Sequence, residues 1–325
     1  MRAAVYRSTG PAAEVLEVVE LELPEPGPGE VRVRIVTSGI NPTDWKRRAG
    51  LTGRTPDGFQ VPHHDGAGVV DAVGSGVDGL VVGQRVWLYL AAFGNRYGTA
   101  AEYAVVPAVR AVPLPDGASD ELGACLGVPA LTAAHCLGGN PGALQGRTVL
   151  VAGGAGAVGH YAIELAKHAG ATVVATVSSD EKRALAEDAG ADLVVRYPDQ
   201  DVSRQIRDVV QHVDRIVEVA PATNLELDLA VLRDGGTIAT YAAEGDLVLP
   251  SGKLMTANVT LAFVLLYGVS SDQLADAVRW TSDALAVGAL SALPVIPYAL
   301  ERVADAQDRV EQAAVGKVVL SVAAR

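Results

Sequence analysis

Residues 149–159 read VLVAGGAGAVG, and this stretch decides the fold of the 325-residue chain. An apolar run typical of a buried strand leads into glycines spaced as G-x-G-x-x-G. In this pattern the first glycine makes a tight turn, the second lets backbone N–H groups approach a diphosphate, and the third lets the next helix pack on the strand. The positive end of that helix adds to the attraction for phosphate. We therefore predict that a dinucleotide is bound by Gly154, Gly156, Ala157, Val158 and Gly159. The alternative is a strand-to-helix turn with no ligand.

Strands and helices alternate around this turn, which predicts a parallel, doubly wound sheet with right-handed crossovers. The predicted strands are residues 148–152, 172–177, 192–195, 214–219 and 237–241. The predicted helices between them are residues 158–168, 180–188, 202–211 and 225–232. The fold class is therefore α/β in this part of the chain.

The flanking parts of the chain have a different pattern. Before about residue 120, short apolar runs such as residues 31–36 (VRVRIV) alternate with glycine-rich turns, as in a mostly β domain. After residue 263, two predicted helices (271–287 and 300–312) precede one lone strand (316–322). A lone closing strand of this kind predicts that the chain returns to its first domain.

The end of the second predicted strand bears on the choice of cofactor. Enzymes that use NAD place a carboxylate at this point to bind the ribose 2′-hydroxyl. Here the strand ends in hydroxyl groups, and a cation follows one helical turn later: Ser178, Ser179 and Lys182. Hydroxyls and a cation suit a 2′-phosphate, and Tyr197 could add a further hydroxyl. We therefore predict NADPH. The alternative is that Lys182 lies on a solvated helix face and Ser179 is only a helix cap.

Composition excludes several classes of function. The net charge of −12 argues against nucleic acid as a partner, since an acidic surface repels phosphate backbones. Two cysteines without a Cys-x-x-Cys pair are too few for a disulfide framework. No segment approaches the roughly 20 apolar residues that span a bilayer, and the first residues do not resemble a signal peptide. We expect no membrane partner and a reducing, cytoplasmic location.

Further motifs along almost the whole chain carry a family resemblance. They are residues 39–46 (GINPTDWK), 65–70 (DGAGVV), 73–77 (VGSGV), 83–86 (GQRV), 98–103 (GTAAEY), 131–134 (LTAA), 156–171 and 316–320 (GKVVL). With these motifs the chain resembles the zinc-independent medium-chain dehydrogenases/reductases of the quinone oxidoreductase, or zeta-crystallin, type.

The resemblance implies an architecture and a set of cofactor residues. It implies a GroES-like, mostly β catalytic domain (residues 1–121), an inserted Rossmann domain (122–263) and a return to the catalytic domain (264–325). It implies a homodimer formed through an edge strand near residues 259–264. It also places along the cofactor Thr132, Val219, Tyr241, Phe263, Val264 and Lys317.

The resemblance also bears on metal binding. Zinc-dependent relatives have a cysteine where Asn41 stands, a His in the position of His64, and a later cysteine near Cys125. Asn41 cannot be a thiolate ligand, and two remaining ligands do not make a tetrahedral site. We therefore expect no metal.

Without a metal, the chemistry favours acceptors that are already electron-poor. A quinone or an α,β-unsaturated carbonyl compound fits, because its product is a stabilised phenolate or enolate. The candidate catalytic residues are Asn41, Asp44 and Lys46. Their alternative interpretations are a helix cap followed by proline for Asn41, and a solvated helix face for Lys46.

Three functions remain open at this point. The first is an NADPH-dependent quinone or enone reductase acting on a small molecule. The second is an enoyl-thioester reductase, which is disfavoured because residues 49–53 (AGLTG) lack the tyrosine that many such relatives carry there. The third is a catalytically idle protein that binds NADPH.

Overall fold

The computed structural model describes residues 1–243 and 245–322 of the chain. These residues form two compact units. Unit 1 comprises Met1–Val128 and the chain from Pro294 onward, and unit 2 comprises Pro129–Leu293. No helix in the described part of the chain is both long and apolar enough to cross a bilayer.

The strands, in chain order, are β1 Arg2–Val5, β2 Glu17–Glu20, β3 Glu30–Gly39, β4 Asp65–Val73, β5 Arg85–Leu88, β6 Tyr103–Pro107, β7 Ala111–Pro113, β8 Thr148–Ala152, β9 Thr172–Val177, β10 Leu193–Arg196, β11 Val213–Glu218, β12 Leu232–Thr240, β13 Thr260–Phe263, β14 Val295–Ala299 and β15 Lys317–Ser321. The α-helices are α1 Ala12–Val15, α2 Pro42–Arg48, α3 Asp120–Cys136, α4 Ala157–His168, α5 Asp180–Asp188, α6 Val202–Val209, α7 Pro221–Val231, α8 Ser251–Thr256, α9 Ser271–Ala286 and α10 Val303–Glu311.

Unit 1 is mostly β, as the sequence predicts. Its main sheet has the strand order β14-β15-β3-β4-β5-β7, with β6 also pairing with β3, and β1 pairs separately with β2. Strand β3 alternates half-buried and buried residues, because Val31, Val33 and Ile35 point into the apolar core. At Gly68 a Cβ atom would lie 2.1 Å from the carbonyl oxygen of Arg34, so only glycine allows β3 and β4 to approach this closely.

Unit 2 is a six-stranded, wholly parallel sheet with the order β10-β9-β8-β11-β12-β13. The chain leaves β8 to form β9 on one side and later β11 on the other. The carboxyl end of β8 is therefore the point at which the strand order reverses, and ligands bind doubly wound sheets at such points. The structure confirms the predicted α/β class with a GroES-like unit and a Rossmann unit.

The boundaries of the units differ from the sequence prediction. The first boundary lies at Pro129, inside α3, and not at residue 122. The chain returns to unit 1 at Pro294, and not at residue 264. The reason is α9: its buried residues Ala277, Trp280 and Ala284 pack it into unit 2, where it lies beside α4. A helix after the last sheet strand covers the same sheet, and strand periodicity alone does not reveal this.

Candidate functional site

The glycine-rich turn of unit 2 has the shape that its sequence pattern requires. Gly153 has a φ of +69°, which is the left-handed region that favours glycine. At Gly159 a Cβ atom would lie 2.3 Å from the carbonyl oxygen of Gly153, so any side chain there would collide with the turn. At Gly154 a Cβ atom would lie 2.9 Å from that of Ala175 on β9. The turn is thus closed tightly against the sheet.

Helix α4 begins at this turn, and no side chain caps its first N–H groups. Gly156 is the residue that caps the helix, and it has no side chain to accept a hydrogen bond from them. Gly156 is exposed, and Ala157 and Val158 are half-buried. N–H groups at the positive end of a helix that no side chain caps can bind anions. The five residues predicted to hold a diphosphate therefore lie together in a geometry that suits one.

Hydroxyl and amine groups meet at the carboxyl end of β9. Lys182 Nζ donates a hydrogen bond of 3.0 Å to Ser178 Oγ. Ser179 caps α5, and its Oγ accepts from the backbone N–H of Lys182 at 3.3 Å. The backbone N–H of Tyr197 donates to the carbonyl oxygen of Val177 at 3.0 Å, which brings this half-exposed tyrosine to the same edge. The sequence prediction named these four residues. Ser178, Ser179 and Lys182 contact one another, and the Tyr197 backbone bonds the strand end that precedes Ser178.

The Asp180 carboxylate, in the first turn of α5, is paired. Both oxygens of Asp180 accept from Arg196 Nη1 at 3.0 Å, across the ends of α5 and β10. The pair is solvent-exposed and contributes little stability, but it holds the carboxylate beside a cation. Lys182 is therefore the cation in direct contact with Ser178.

The remaining cofactor residues predicted for unit 2 follow the next strands. Val219, Tyr241 and Val264 come directly after β11, β12 and β13, and Phe263 ends β13 with its side chain 69% exposed. Thr132 is buried on α3. Glu218 fixes the turn after β11: its Oε1 accepts from the N–H of Ala220 at 2.5 Å and from Asn224 Nδ2 at 2.9 Å. Sequence reasoning did not find Glu218, which reads there as an ordinary strand residue.

Unit 1 contains a buried polar group centred on Asn41. Asn41 Oδ1 accepts from Lys317 Nζ at 2.5 Å, and Asn41 Nδ2 donates to Asp65 Oδ2 at 2.6 Å. The other oxygen of Asp65 accepts from the backbone N–H of Val128 at 2.8 Å. Asp44 Oδ2 accepts from the backbone N–H of Asn41 at 2.7 Å, which closes the capping box of α2. We call Asn41, Asp44, Asp65 and Lys317 the Asn41 group.

Burial shifts the acid–base properties of this group. It raises the pKa of Asp44 to about 8, and the neighbouring charge of Asp65 adds to that rise. Burial also raises the pKa of Asp65, to about 6, against the opposing effect of the Lys317 ammonium. The pKa of His64 falls to about 3, because burial and nearby arginines disfavour its charged form. At neutral pH Asp44 therefore carries a proton, Asp65 is largely ionised and His64 is neutral.

Two of the predicted lysines, Lys317 and Lys46, differ in burial. Lys317 is buried in unit 1, as the predicted return of the chain requires, and hydrogen-bonds Asn41; its predicted place along the cofactor stays a prediction. Lys46, expected in the catalytic group, is exposed on α2, with its Nζ 5.8 Å from the ring centroid of Trp45. The reason is helical geometry: residues 44 and 48 are buried on one face of α2, and residue 46 points away from it.

Asp65 is the member of the group that sequence reasoning missed. It begins β4 and is fully buried. In the sequence, the motif at residues 65–70 indicates family resemblance but does not single out Asp65. A carboxylate at the start of a strand of small and apolar residues indicates a buried, hydrogen-bonded acid, since such a side chain needs a buried partner.

The Asn41 group does not fit a zinc ion. Among the described residues, no three His, Cys, Asp or Glu side chains are arranged to hold a metal. Asn41 Oδ1 faces the Lys317 ammonium, which is itself a positive charge. Burial also raises the pKa of the Cys125 thiol to about 12, so this side chain remains a neutral thiol.

Comparisons with known proteins agree with this architecture. The family model of the alcohol dehydrogenase GroES-like domain matches residues 27–116, and that of the zinc-binding dehydrogenases matches residues 157–283. A 2-haloacrylate reductase from Burkholderia sp. is 32% identical over 250 residues, 74% of this chain and 72% of the relative. The chain belongs to the medium-chain dehydrogenases/reductases. Within them it is similar to the quinone oxidoreductase of Rattus norvegicus, at 28% identity over 97% of this chain and 96% of that protein.

Solved medium-chain dehydrogenases/reductases match both units. An NAD-dependent alcohol dehydrogenase superimposes with a TM-score of 0.86 at 31% identity, covering 99% of this chain and all of the other. A mycobacterial protein complexed with NADPH has a TM-score of 0.84 at 30% identity, with the same coverage of both chains. The names of these two neighbours give different cofactors, NAD and NADPH. Family membership therefore indicates an oxidoreductase with a nicotinamide cofactor. The choice between NADH and NADPH depends on the residues of this chain.

Proposed function

We propose that this medium-chain dehydrogenase/reductase uses NADPH to reduce a quinone or another small conjugated carbonyl compound without a metal. The observation that carries the proposal is Lys317 Nζ, buried and 2.5 Å from Asn41 Oδ1. A fixed positive charge can stabilise the negative charge that forms on a carbonyl oxygen when a hydride is added. A conjugated acceptor delocalises the negative charge of its product, so it needs less stabilisation than a saturated ketone. A site with one ammonium and no metal therefore favours conjugated acceptors.

The cofactor choice is supported by the edge of β9. The N–H groups at the start of α4 would hold the diphosphate, and Ser178, Lys182 and Tyr197 would hold a 2′-phosphate. Bound NADPH supplies the hydride. Because Asp180 is paired with Arg196, it does not present a free carboxylate that would repel the 2′-phosphate.

Hydrogen-bond capacity remains in the Asn41 group. An ammonium has three donors and a carboxamide nitrogen has two. Lys317 uses one donor on Asn41, and Asn41 uses one on Asp65. Within the described part of the chain no acceptor takes the others. We assign these N–H groups to the carbonyl oxygen of the acceptor, where their hydrogen bonds strengthen as negative charge develops.

We assign the proton that completes the reduction to Asp44. Its pKa of about 8 leaves it protonated at neutral pH, whereas Asp65 is largely ionised. An acid whose pKa lies near the working pH is effective as a proton donor. Its Oδ1 lies 4.0 Å from His64 Nε2, and the neutral His64 ring does not compete for the proton as a cation.

The relatives support the class of acceptor. The names of two of them designate a quinone and 2-haloacrylate as substrates. Both compounds have a carbon–carbon double bond conjugated to a carbonyl group. Both cysteines are buried free thiols, which suits the cytoplasmic location that we propose.

The test compares matched acceptors. Purified protein and NADPH are mixed with 1,4-benzoquinone, with 2-cyclohexenone and with the saturated ketone cyclohexanone, and NADPH oxidation is followed by absorbance at about 340 nm. We expect turnover with at least one conjugated compound and none with cyclohexanone. Equal turnover of the saturated ketone would contradict the proposal.

Two other outcomes identify the alternatives. Turnover of an enoyl thioester such as crotonyl-CoA, without activity on the quinone or the enone, would favour an enoyl-thioester reductase. Tight NADPH binding with no oxidation by any acceptor would favour an idle NADPH-binding protein.

A further inference from the structure

A continuous chain of buried side chains runs from the end of α2 to the residue that begins β4. It joins elements of unit 1 that are far apart in sequence, since Arg48 lies on α2 and Gln307 lies on α10. Its members, in spatial order, are Arg48, Gln307, His63, Ser38 and Thr99, and it ends on the carbonyl oxygen of Asp65. All five side chains are at most 4% exposed.

The end at Asp65 fixes the direction of three successive bonds. Thr99 Oγ1 must donate to the Asp65 carbonyl oxygen at 2.5 Å, because a carbonyl oxygen has no hydrogen. Thr99 then has no second hydrogen, so the 2.8 Å bond between Ser38 Oγ and Thr99 Oγ1 is donated by Ser38. Ser38 has likewise used its hydrogen. The 3.0 Å bond between Ser38 Oγ and His63 Nδ1 must therefore be donated by His63 Nδ1–H.

The end at Arg48 gives the same answer independently. A guanidinium only donates, so Arg48 Nε–H donates to Gln307 Oε1 at 3.1 Å. That bond orients the amide and leaves Gln307 Nε2 as the neighbour of His63 Nε2, at 3.2 Å. An amide nitrogen also only donates, so His63 Nε2 is an acceptor. Both ends require the same ring, neutral and protonated at Nδ1.

We propose that Arg48, Gln307 and His63 are positioning residues, which hold His63 as the neutral Nδ1–H tautomer and thereby fix the backbone that presents the Asp65 carboxylate to Asn41. The second half of this inference rests on the proposed function, because it assumes that the Asn41 group is catalytic. The chain is also tied down at Arg48, whose Nη1 donates to the carbonyl oxygen of Gly10 at 2.7 Å.

The conformation of His63 shows why this backbone needs support. His63 has a φ of +76°, which a residue other than glycine adopts at an energetic cost. Its ring bonds at both nitrogens offset that cost. Burial, assisted by His64 and Lys317, also lowers the pKa of His63 to about 3 and keeps the ring neutral. Helix α2 is thus held at both ends, by Asn41–Asp65 at its start and by Arg48–Gln307 at its close.

The tautomer can be measured directly by nitrogen NMR on histidine-labelled protein, without cofactor or substrate. His63 is distinguished from the other five histidines by through-bond assignment. We expect a protonated Nδ1 and an unprotonated Nε2, unchanged between pH 6 and pH 8. A ring protonated at Nε2, or at both nitrogens, would overturn the inference.

Gln307→Glu tests the direction of these hydrogen bonds with a side chain of the same shape. A carboxylate still accepts from Arg48 but cannot donate to His63, so His63 Nε2 should become protonated. Gln312→Glu makes the same chemical change on an exposed residue next to α10 and should leave the His63 signals as in the original protein. Unchanged His63 signals in Gln307→Glu would overturn the inference.

Kinetics test the link to the reaction. In Gln307→Glu we expect kcat with the best conjugated acceptor to fall by roughly tenfold or more, the scale on which misplaced catalytic groups slow a reaction. The KM for NADPH should stay within about twofold, because the residues proposed to bind it lie in unit 2. If the protein reduces no acceptor but His63 is protonated at Nδ1, the proposed function fails and the assigned hydrogen-bond direction is supported. If Gln307→Glu shifts the proton on His63 and leaves kcat unchanged, the positioning role is overturned.

Discussion

Lys182 is the side chain that makes the cofactor assignment testable. Its ammonium lies 3.0 Å from Ser178 Oγ, at the edge where a 2′-phosphate would sit. Replacing it in Lys182→Ala removes a charge-assisted bond worth about 1.5–3 kcal/mol. We expect the Kd for NADPH to rise by roughly 10- to 100-fold, and the Kd for NADH to change much less because NADH lacks the 2′-phosphate. Fluorescence titration with both nucleotides measures this.

A matched control removes the same charge elsewhere on unit 2. Lys167 lies in the last turn of α4 and pairs with Asp192 at 2.7 Å. Lys167→Ala should leave the Kd for both nucleotides almost unchanged. Equal weakening of NADPH and NADH by Lys182→Ala would contradict the assignment of the 2′-phosphate.

Asp44 is the residue that should set the alkaline limit of activity. Its folded pKa of about 8 lies above the ordinary value of 3.8, so it acts as an acid below pH 8 and loses its proton above it. We expect kcat/KM of the original protein to fall as the pH rises through about 8. Asp44→Asn keeps an oxygen that can accept from the N–H of Asn41, yet it cannot donate an acidic proton. Its activity should be at least about 100-fold lower and show no break near pH 8.

The pH profile of Asp44→Asn is decisive, because loss of activity alone could reflect damage to α2. The variant should keep the near-ultraviolet circular dichroism and the NADPH affinity of the original protein. A break near pH 8 that persists in Asp44→Asn would assign the proton to another group.

At the scale of the elements, periodicity predicted the Rossmann unit well. The predicted strands at residues 148–152 and 172–177 and the predicted helix at residues 180–188 match β8, β9 and α5 at both ends. Each is bounded by a strong local signal: the glycine turn, the pair of serines, or a capping residue. Helix α7 was less well predicted. It begins at Pro221, four residues before the predicted start at residue 225, because proline suits the first turn of a helix.

Helix α7 also carries a buried acid that its sequence pattern conceals. Its inner face consists of Pro221, Leu225, Asp228 and Val231, at helical spacing. Burial raises the pKa of Asp228 to about 9, and the neighbouring Glu218 on β11 adds to the rise. The acid belongs to the interface between α7 and β11, and not to an exposed face.

This acid should make the stability of the protein fall with rising pH. In the unfolded chain Asp228 ionises near the ordinary aspartate pKa of 3.8, whereas in the folded chain it keeps its proton up to about pH 9. Between these values the folded state binds the extra proton, so the free energy of unfolding decreases by up to about 1.4 kcal/mol per pH unit. In Asp228→Asn this contribution is absent. Urea unfolding at pH 5, 7 and 9 should show a shallower decline for the variant, and parallel declines would contradict the assignment.

At the scale of the whole molecule, the limit of sequence reasoning is distance along the chain. The glycine turn was predictable because its residues lie within one short segment. The Asn41 group was only partly predictable: Asn41 and Asp44 share a helix start, but Lys317 is 276 positions away from Asn41. The bond between Arg48 and Gln307 spans 259 positions. Local periodicity carries no information about such pairs.

The oligomeric state is a property of the whole molecule that unit 2 makes testable. Strand β13 is the outermost strand of the parallel sheet; Phe263 ends this strand and is 69% exposed, and Leu265, just after it, is 66% exposed. An apolar sheet edge of this kind pairs readily with another strand. The predicted homodimer would join two such edges, so light scattering should give twice the chain mass of 33.5 kDa.

Phe263→Lys should convert this dimer into a monomer. Two-fold symmetry would bring the two copies of the new ammonium close to one another at the paired edge, and the apolar contact of the ring would be lost. Met255→Lys adds the same charge to a 79% exposed residue of α8, away from β13, and should remain dimeric. Because Phe263 also ends the strand next to the predicted cofactor residue Val264, NADPH affinity is measured in both variants. A Phe263→Lys protein that stays dimeric would place the interface on another surface, and an original protein of 33.5 kDa in solution would remove the dimer altogether.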